Sequence, residues 1–474
     1  MTFAPSPPRP GGSSVQRVEP EGRDRFIDLL RGGSIAAVVV GHWLVADVRW
    51  SDPGSGGGEL VETSSLYEVP AMWPMTWLLV TIPLFFFVGG YSNARSWTGT
   101  LRRGEGLATF LDRRVHRVLT PAVVYIAVVI CAGLLLDSRG GAGLRDVGGL
   151  LLQPLWFLGA YLCVVALTPV MLRAHHRSAA GTLGAVLLLI VLCDVARFAL
   201  GVEGIGYLNV LFVWLFLHQL GFLYVDATPT RWVAAASAIG GLVACGVLVA
   251  VGPYSPTMVG VPDGPVGNMH PPTLAVTALG VAQIGIALLL RTPLNRWLVR
   301  PRVWAAVVLV NMSMVSIYLW HQFALVLAGR IVLPLGYPDP LPGSLPWWVA
   351  RVLWLAVPGC VLAVIVFLVG RFERVAAPSR VRPGPGTAAA AVLGVLLVCI
   401  GFLSLAGSSA MELTEAGQAL GPVEASPGLG LAALSIAALV FWMLRRLAPM
   451  GDPDVAPVVG ATQAGPMLHR SRRR

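Results

Sequence analysis

The sequence contains no lysine, so every one of its basic side chains is arginine. Charge of either sign is scarce. Only 12% of the 474 residues are charged, against about 25% in ordinary soluble domains. Hydrophobic residues make up 55%, and the mean hydropathy is +0.73. No soluble core is large enough to hide that many apolar side chains, which excludes a water-soluble enzyme and requires a chain solvated by lipid. Cysteine is also sparse. Cys131, Cys163, Cys193, Cys245, Cys360 and Cys399 each lie in an apolar run, without paired spacing. A disulfide framework and a cysteine metal site are therefore not expected. The amino-terminal stretch is rich in Pro, Gly and Ser, with no apolar core and no small-residue cleavage site. It reads as a disordered cytosolic tail, residues 1–23, and not as a signal peptide.

What is abundant is long apolar runs. About 20 helical residues cross roughly 30 Å of hydrocarbon. On that measure the sequence predicts spans at 26–46, 74–94, 117–136, 154–172, 181–200, 207–225, 232–251, 273–290, 304–327, 347–370, 387–406 and 429–445. Backbone in lipid must bond within its own segment, so the expected fold class is all-α, a polytopic bundle of about twelve transmembrane helices. The boundaries expected are a membrane core at 24–375, two additional helices at 376–446 and a basic cytosolic tail at 447–474.

Arginine also sets the orientation. With the amino terminus inside, Arg95, Arg102, Arg103, Arg113, Arg114, Arg117, Arg173, Arg177, Arg291, Arg296, Arg300 and Arg302 fall on the cytosolic side. The opposite side has few arginines and carries Glu59, Glu62, Glu68, Glu412 and Glu415. The positive-inside rule then places both termini in the cytosol. The formal net charge of +10 is on this reading a topology signal and a lipid-headgroup contact, with no nucleic-acid partner.

Charged groups inside a membrane span are costly and normally serve a purpose. The first span holds the densest set, Asp28, Arg31 and His42. Arg31 and His42 are eleven residues apart, which is three helical turns plus about 20° and about 16 Å along the axis. Both side chains therefore face the same way, and Asp28 stands one turn before Arg31, where it can pair with it. A ligand bridging the two would be long, anionic at the cytosolic end and reactive at the buried end. Acyl-coenzyme A has that shape.

Asp28-Leu-Leu-Arg31, followed after ten residues by His42, resembles the Arg-x10-His signature of the membrane acyltransferase-3 family, integral membrane O-acyltransferases of bacteria. Pro83-Leu-Phe-Phe-Phe-Val-Gly-Gly-Tyr91 is similar to that family's aromatic second-helix segment, with Gly89 where the family often has Ser. Phe110 to Pro121 resembles its cytosolic Arg-x-x-Arg segment, matched by Arg114 and Arg117. Leu155-Trp-Phe-Leu-Gly-Ala-Tyr161 and Ser316-Ile-Tyr-Leu-Trp-His321 resemble its Trp-Phe-Leu helix and its late Ser-x-x-Tyr-Leu-x-His helix. The resemblance covers about residues 24–372. It includes no Gly-Asp-Ser segment of an appended esterase-like domain.

The resemblance implies transfer of an acyl group, most often acetyl, from cytosolic acyl-CoA to a hydroxyl of a carbohydrate, lipid or secondary metabolite at a bacterial plasma membrane. Within it, His42 is the expected general base or acyl carrier, with Arg31 and Asp28 beside it. Arg31, Arg113, Arg114 and Arg117 are the candidates for the CoA phosphates, because a guanidinium fork suits phosphate oxygens. His321 and Tyr318 are candidates for orienting the acceptor or stabilising an oxyanion. Tyr91, Trp156, Tyr161 and His218 are candidate substrate contacts. Neither a permanently bound cofactor nor a metal is expected. Two rival readings use the same polar residues: a transporter or flippase for a glycan or metabolite, and a non-catalytic membrane scaffold.

Overall fold

In lipid a carbonyl released from a helix must find a protein partner, and this rule explains both where the helices run and where they break. The computed structural model describes residues 23–50, 60–137, 145–261, 266–373, 381, 384–407 and 426–446. All but the last residue of the expected tail at 1–23, the expected tail at 447–474, and Glu59, Glu412 and Glu415 lie outside the described residues. In chain order the helices are α1 (Arg25–Val45), α2 (Ser65–Glu68), α3 (Thr76–Leu79), α4 (Ile82–Arg102), α5 (Leu107–Asp137), α6 (Arg145–Leu152), α7 (Leu155–Arg177), α8 (Ala179–Phe198) and α9 (Asn209–Asp226). They continue with α10 (Arg231–Val251), α11 (Leu274–Leu289), α12 (Arg291–Leu298), α13 (Pro301–Met312), α14 (Met314–Val332), α15 (Leu345–Glu373), α16 (Thr387–Ala406) and α17 (Pro427–Arg446). Among the described residues, eleven stretches are long and apolar enough to cross a membrane, or twelve if the bent pair α11–α12 forms one span. The chain is a multi-pass helical membrane protein, as its hydropathy indicates.

α1 starts where Asp24 supplies a cap. Its carboxylate accepts from the backbone N–H groups of Phe26 (3.0 Å) and Ile27 (3.4 Å), which would otherwise have no partner. At the far end the chain leaves α1 as a hairpin, β1 (Ala46–Trp50) paired antiparallel with β2 (Leu60–Ser64). This small sheet is an addition to the all-helical expectation. Val48 and Leu60 are buried in it and pack at Gly329 of α14.

Three of the expected helices differ in detail. The span expected at 74–94 begins with a 3-10 turn and α3, breaks at Val80 and Thr81, and continues as α4 to Arg102. The break is satisfied from across the bundle. The Gln283 side-chain amide donates to the carbonyls of Trp77 (3.0 Å) and Val80 (2.9 Å), and the Thr81 hydroxyl donates to the Ser34 carbonyl (2.9 Å). The third helix starts at Leu107, so Arg113, Arg114 and Arg117 stand on α5 itself. The span expected at 304–327 is two helices, α13 and α14, separated by Ser313 with φ −106° and ψ 12°. No Pro or Gly marks that break. Its effect is to open the wall at Met312 and Met314, which line a cavity described below.

α4 and α9 touch backbone to backbone. A Cβ on Gly90 would come within 1.9 Å of the His218 carbonyl oxygen, and one on Gly221 within 2.2 Å of the Phe87 carbonyl oxygen. Only glycine fits at either position, which gives the Gly-Gly-Tyr segment a packing role.

The last two helices pack on each other and on α5 and α7. The Cys399 thiol donates to the Gly159 carbonyl at 3.4 Å. Arg445 Nε lies 2.9 Å from Asp112 Oδ1, whose side chain is 1% exposed. Removing one partner of a buried ion pair strands the other charge, at about 3–5 kcal/mol. Arg445→Leu is therefore expected to lower the melting temperature of the solubilised protein sharply. Adding Asp112→Asn in the same chain should recover most of that loss. An unchanged melting temperature in Arg445→Leu would show that the pair does not hold the C-terminal helices in place.

Candidate active site

One face of α1 carries Asp28, Arg31, Ile35, Val38, His42 and Val45, alternating three and four residues apart, and helical geometry makes that a continuous stripe. The stripe lines two cavities. The arginine-lined cavity, at the amino end of α1, has a volume of about 370 Å³. Arg23, Arg31, Arg114 and Arg117 border it, with Asp28, Ser92, Tyr161 and Asn311. The far cavity, at the carboxyl end of α1, is about 510 Å³. His42, Trp156, His270, Gln153 and Gln322 border it among apolar residues. Tyr318 lines both. The single slot expected from Arg31 to His42 is thus two cavities that meet at one tyrosine.

At the amino end, Asp28 is shared between Arg23 Nε (2.5 Å) and Arg31 Nη1 (2.9 Å). Arg31 Nη2 also donates to the hydroxyl of Ser92 on α4. Its fork is therefore held by two elements, and the guanidinium is oriented before any ligand arrives. Asn311, beside the break between α13 and α14, donates to the Asp28 carbonyl (2.8 Å), while its own Oδ1 is buried without a partner. Arg113 faces away from the cavity. Its two terminal nitrogens bind Glu105 at 2.6 and 2.5 Å, and that contact holds the Glu105 carboxyl below the usual carboxylate range.

At the other end, His42 and His321 stack with ring centroids 4.9 Å apart and planes 10° from parallel. His42 Nδ1 and His321 Nε2 are 2.7 Å apart, and His321 Nδ1 is 2.5 Å from the Tyr318 carbonyl oxygen. A carbonyl only accepts, so His321 Nδ1 carries its proton. In the neutral pair His321 Nε2 is then a lone pair, and it accepts the Nδ1–H of His42. That leaves His42 Nε2 as an unprotonated nitrogen, with no partner among the described residues, on a ring that forms part of the far cavity's wall. Trp43 Nε1 donates to the His321 carbonyl at 3.0 Å, tying α14 to α1 at this level.

His321 is fully buried behind His42 and lines neither cavity. The Tyr318 hydroxyl donates to the Pro154 carbonyl at 3.1 Å. Neither side chain is free to donate to an oxyanion. Trp156 lines the far cavity and Tyr161 the arginine-lined one. Tyr91 and His218 line neither. Tyr91 packs against Tyr224 and Arg95. His218 is 1% exposed, and its Nε2 lies 3.2 Å from Asn93 Nδ2. The neighbouring Gln219 belongs to a separate link, donating to His175, which in turn bonds Asp226. The His218-Gln219 pair thus joins helices, while in the similar His321-Gln322 pair only Gln322 borders a cavity. Among the described residues no cluster of His, Cys, Asp or Glu could hold a metal ion.

Ser92, Asn311, His270 and Gln322 enter the site without having been singled out from sequence. His270 sits in the connection between α10 and α11, which has no periodicity to mark it. It faces the cavity, stacked edge-on with Trp156 at 5.1 Å. The residue is exposed at the cavity wall, and local loss of hydration shifts its pKa below the ordinary imidazole value, which favours the neutral form near pH 7.

The helical bundle thus sets a part-buried imidazole with one open nitrogen end to end with an arginine-lined cavity, an arrangement suited to group transfer. The family comparison agrees. A model of the acyltransferase domain of the acyltransferase-3 family matches residues 24–371, and the chain belongs to that family. It is a membrane acyltransferase. No curated protein and no solved structure matches it.

Proposed function

We propose that this acyltransferase moves an acyl group, acetyl by the family's habit, from cytosolic acyl-CoA to a hydroxyl of an acceptor that enters from the opposite side of a bacterial plasma membrane. The observation that carries the reading is the meeting of two unlike cavities at Tyr318, one lined by four arginines and one by the open imidazole of His42. The arginines Arg23, Arg31, Arg114 and Arg117 would hold the CoA phosphates, as guanidinium forks match phosphate oxygens. The pantetheine would then run toward Tyr318 and present the thioester there.

His42 Nε2 takes the proton of the acceptor hydroxyl as that oxygen attacks the thioester carbonyl carbon. The new C–O bond gives a tetrahedral oxyanion. Its collapse breaks the C–S bond, and the CoA thiolate leaves with the proton held on His42, so the products are an ester and free CoA. His42 borders the far cavity and not the arginine-lined one, which supports its acting as a base on the acceptor and not as a carrier of the acyl group. His321 is a positioning residue. By accepting the Nδ1–H it fixes the tautomer that keeps Nε2 unprotonated, and it stabilises the imidazolium that forms.

Two measurements follow. In liposomes containing the purified protein, acetyl-CoA supplied on the arginine side should release CoA in step with label appearing in a base-labile ester. CoA release without an ester product, at any acceptor supply, would contradict transfer. His321→Leu, which removes the acceptor of the His42 Nδ1–H, should lower kcat by roughly tenfold to a hundredfold, the order of a lost outer hydrogen bond to a working imidazole. KM for acyl-CoA should stay near that of the parent. A change in KM alone would remove His321 from the proton path.

A further inference from the structure

Resting on the acyl-transfer reading, we infer that Gln322 and His270 bind the acceptor, and that the acceptor is an uncharged polyhydroxylated compound: a sugar ring or diol and not an anionic glycan or a simple alcohol.

Gln322 is 1% exposed and lines the far cavity. Both its amide nitrogen and its amide oxygen are buried without a partner. A buried amide left so is expensive, at roughly 1–3 kcal/mol for each missing bond, and such a group in a native cavity calls for an explanation. A ligand that supplies both bonds provides one. Gln322 also directly follows His321, the partner of His42, so whatever binds it lies beside the reacting hydroxyl. His270 borders the same cavity with no hydrogen-bond partner among the described residues.

The chemistry of the two groups selects the ligand. A carboxamide offers one donor and one acceptor face, and a neutral imidazole does the same. A hydroxyl both donates and accepts, so it satisfies either group. A carboxylate or phosphate only accepts. It would bond the Gln322 N–H and set its remaining charge against the amide oxygen. The contrast with the other cavity points the same way. Four arginines border the arginine-lined cavity, whereas the described residues that border the far one include no charged side chain. Its walls also carry Val38, Leu79, Val80 and Met269, against which the C–H faces of a ring can lie, and further uncharged polar side chains in Thr63, Ser64, Thr76 and Gln153. One hydroxyl for His42, with a further one for Gln322 or His270, requires a polyol.

The test uses the full-length protein in nanodiscs with [1-14C]acetyl-CoA. An envelope and metabolite extract of the host is divided by anion exchange into neutral and anionic fractions, and each is offered as acceptor. Base-labile label is expected in the neutral fraction, on a compound that periodate cleaves once the ester is removed. Label confined to the anionic fraction, or on a compound resistant to periodate, would overturn the inference while acyl transfer itself stands. Label in neither fraction would overturn the acyl-transfer reading beneath it. With the labelled acceptor isolated, Gln322→Leu should raise its KM about tenfold or more, the cost of one lost buried hydrogen bond, with KM for acyl-CoA moving less than about twofold. His270→Ala, at the more open cavity wall, provides a second variant should Gln322→Leu fold poorly. Parent-like acceptor KM in a folded variant at each position would overturn the assignment.

Discussion

His42→Ala is expected to lower acyl transfer by about 10²- to 10⁴-fold, the range that a positioned general base contributes, while the protein remains inserted in the membrane. The loss should be catalytic because the removed ring borders a cavity, not a packed layer. One local cost is foreseeable. His321 Nε2 loses its donor, and an unsatisfied buried acceptor costs roughly 1–3 kcal/mol. His42→Gln therefore makes the sharper control, since an amide can restore a donor to His321 without supplying a base. Both variants should elute from size exclusion as the parent does, and both should fail to transfer label from acetyl-CoA. Substantial transfer by either folded variant would remove the imidazole from the chemistry.

The second large effect is expected at Arg31. Arg31→Ala should raise KM for acyl-CoA by about tenfold to a hundredfold, as charge-assisted hydrogen bonds to an anion are worth roughly 1.5–3 kcal/mol. Arg31→Lys should recover only part of this. The guanidinium bonds Asp28 and Ser92 through different nitrogens, and a single ammonium cannot reproduce a planar fork that spans two helices. Direct titration with a non-hydrolysable acyl-CoA analogue checks the result. Parent affinity in Arg31→Ala would assign the arginine-lined cavity to something other than the donor.

Much of this architecture was legible in the sequence because lipid leaves few alternatives. The apolar runs located the helices, and the eleven-residue interval from Arg31 to His42 placed both on the face that the cavities border. The parts that were not legible depend on partners distant in sequence. No Pro or Gly lies between Arg302 and Ala328 to mark the break at Ser313. The break before α4 is tolerated because Gln283, some 200 residues on, bonds the freed carbonyls. Arg113, Arg114 and Arg117 are close together on α5, and helical spacing alone does not tell them apart. Glu105, in the preceding turn, takes Arg113. The hairpin did leave a trace. Gly-, Pro- and Ser-rich sequence from Ser51 to Gly58 follows the alternating apolar and polar segment Ala46-Asp-Val-Arg-Trp50, a pattern that hydropathy over longer windows averages away. His321 was legible as an intramembrane histidine. Its place behind His42 depends on how α14 packs on α1.

The most direct test compares base-labile acyl esters in the envelope glycans, lipids and secreted metabolites of the host with and without this gene. The strain lacking it is complemented with either the parent sequence or His42→Ala. An ester that disappears without the gene and returns only with intact His42 is the predicted result, and its structure names the acceptor. If no ester changes and a whole glycan or metabolite instead fails to leave the cell, the chain moves its substrate and does not acylate it.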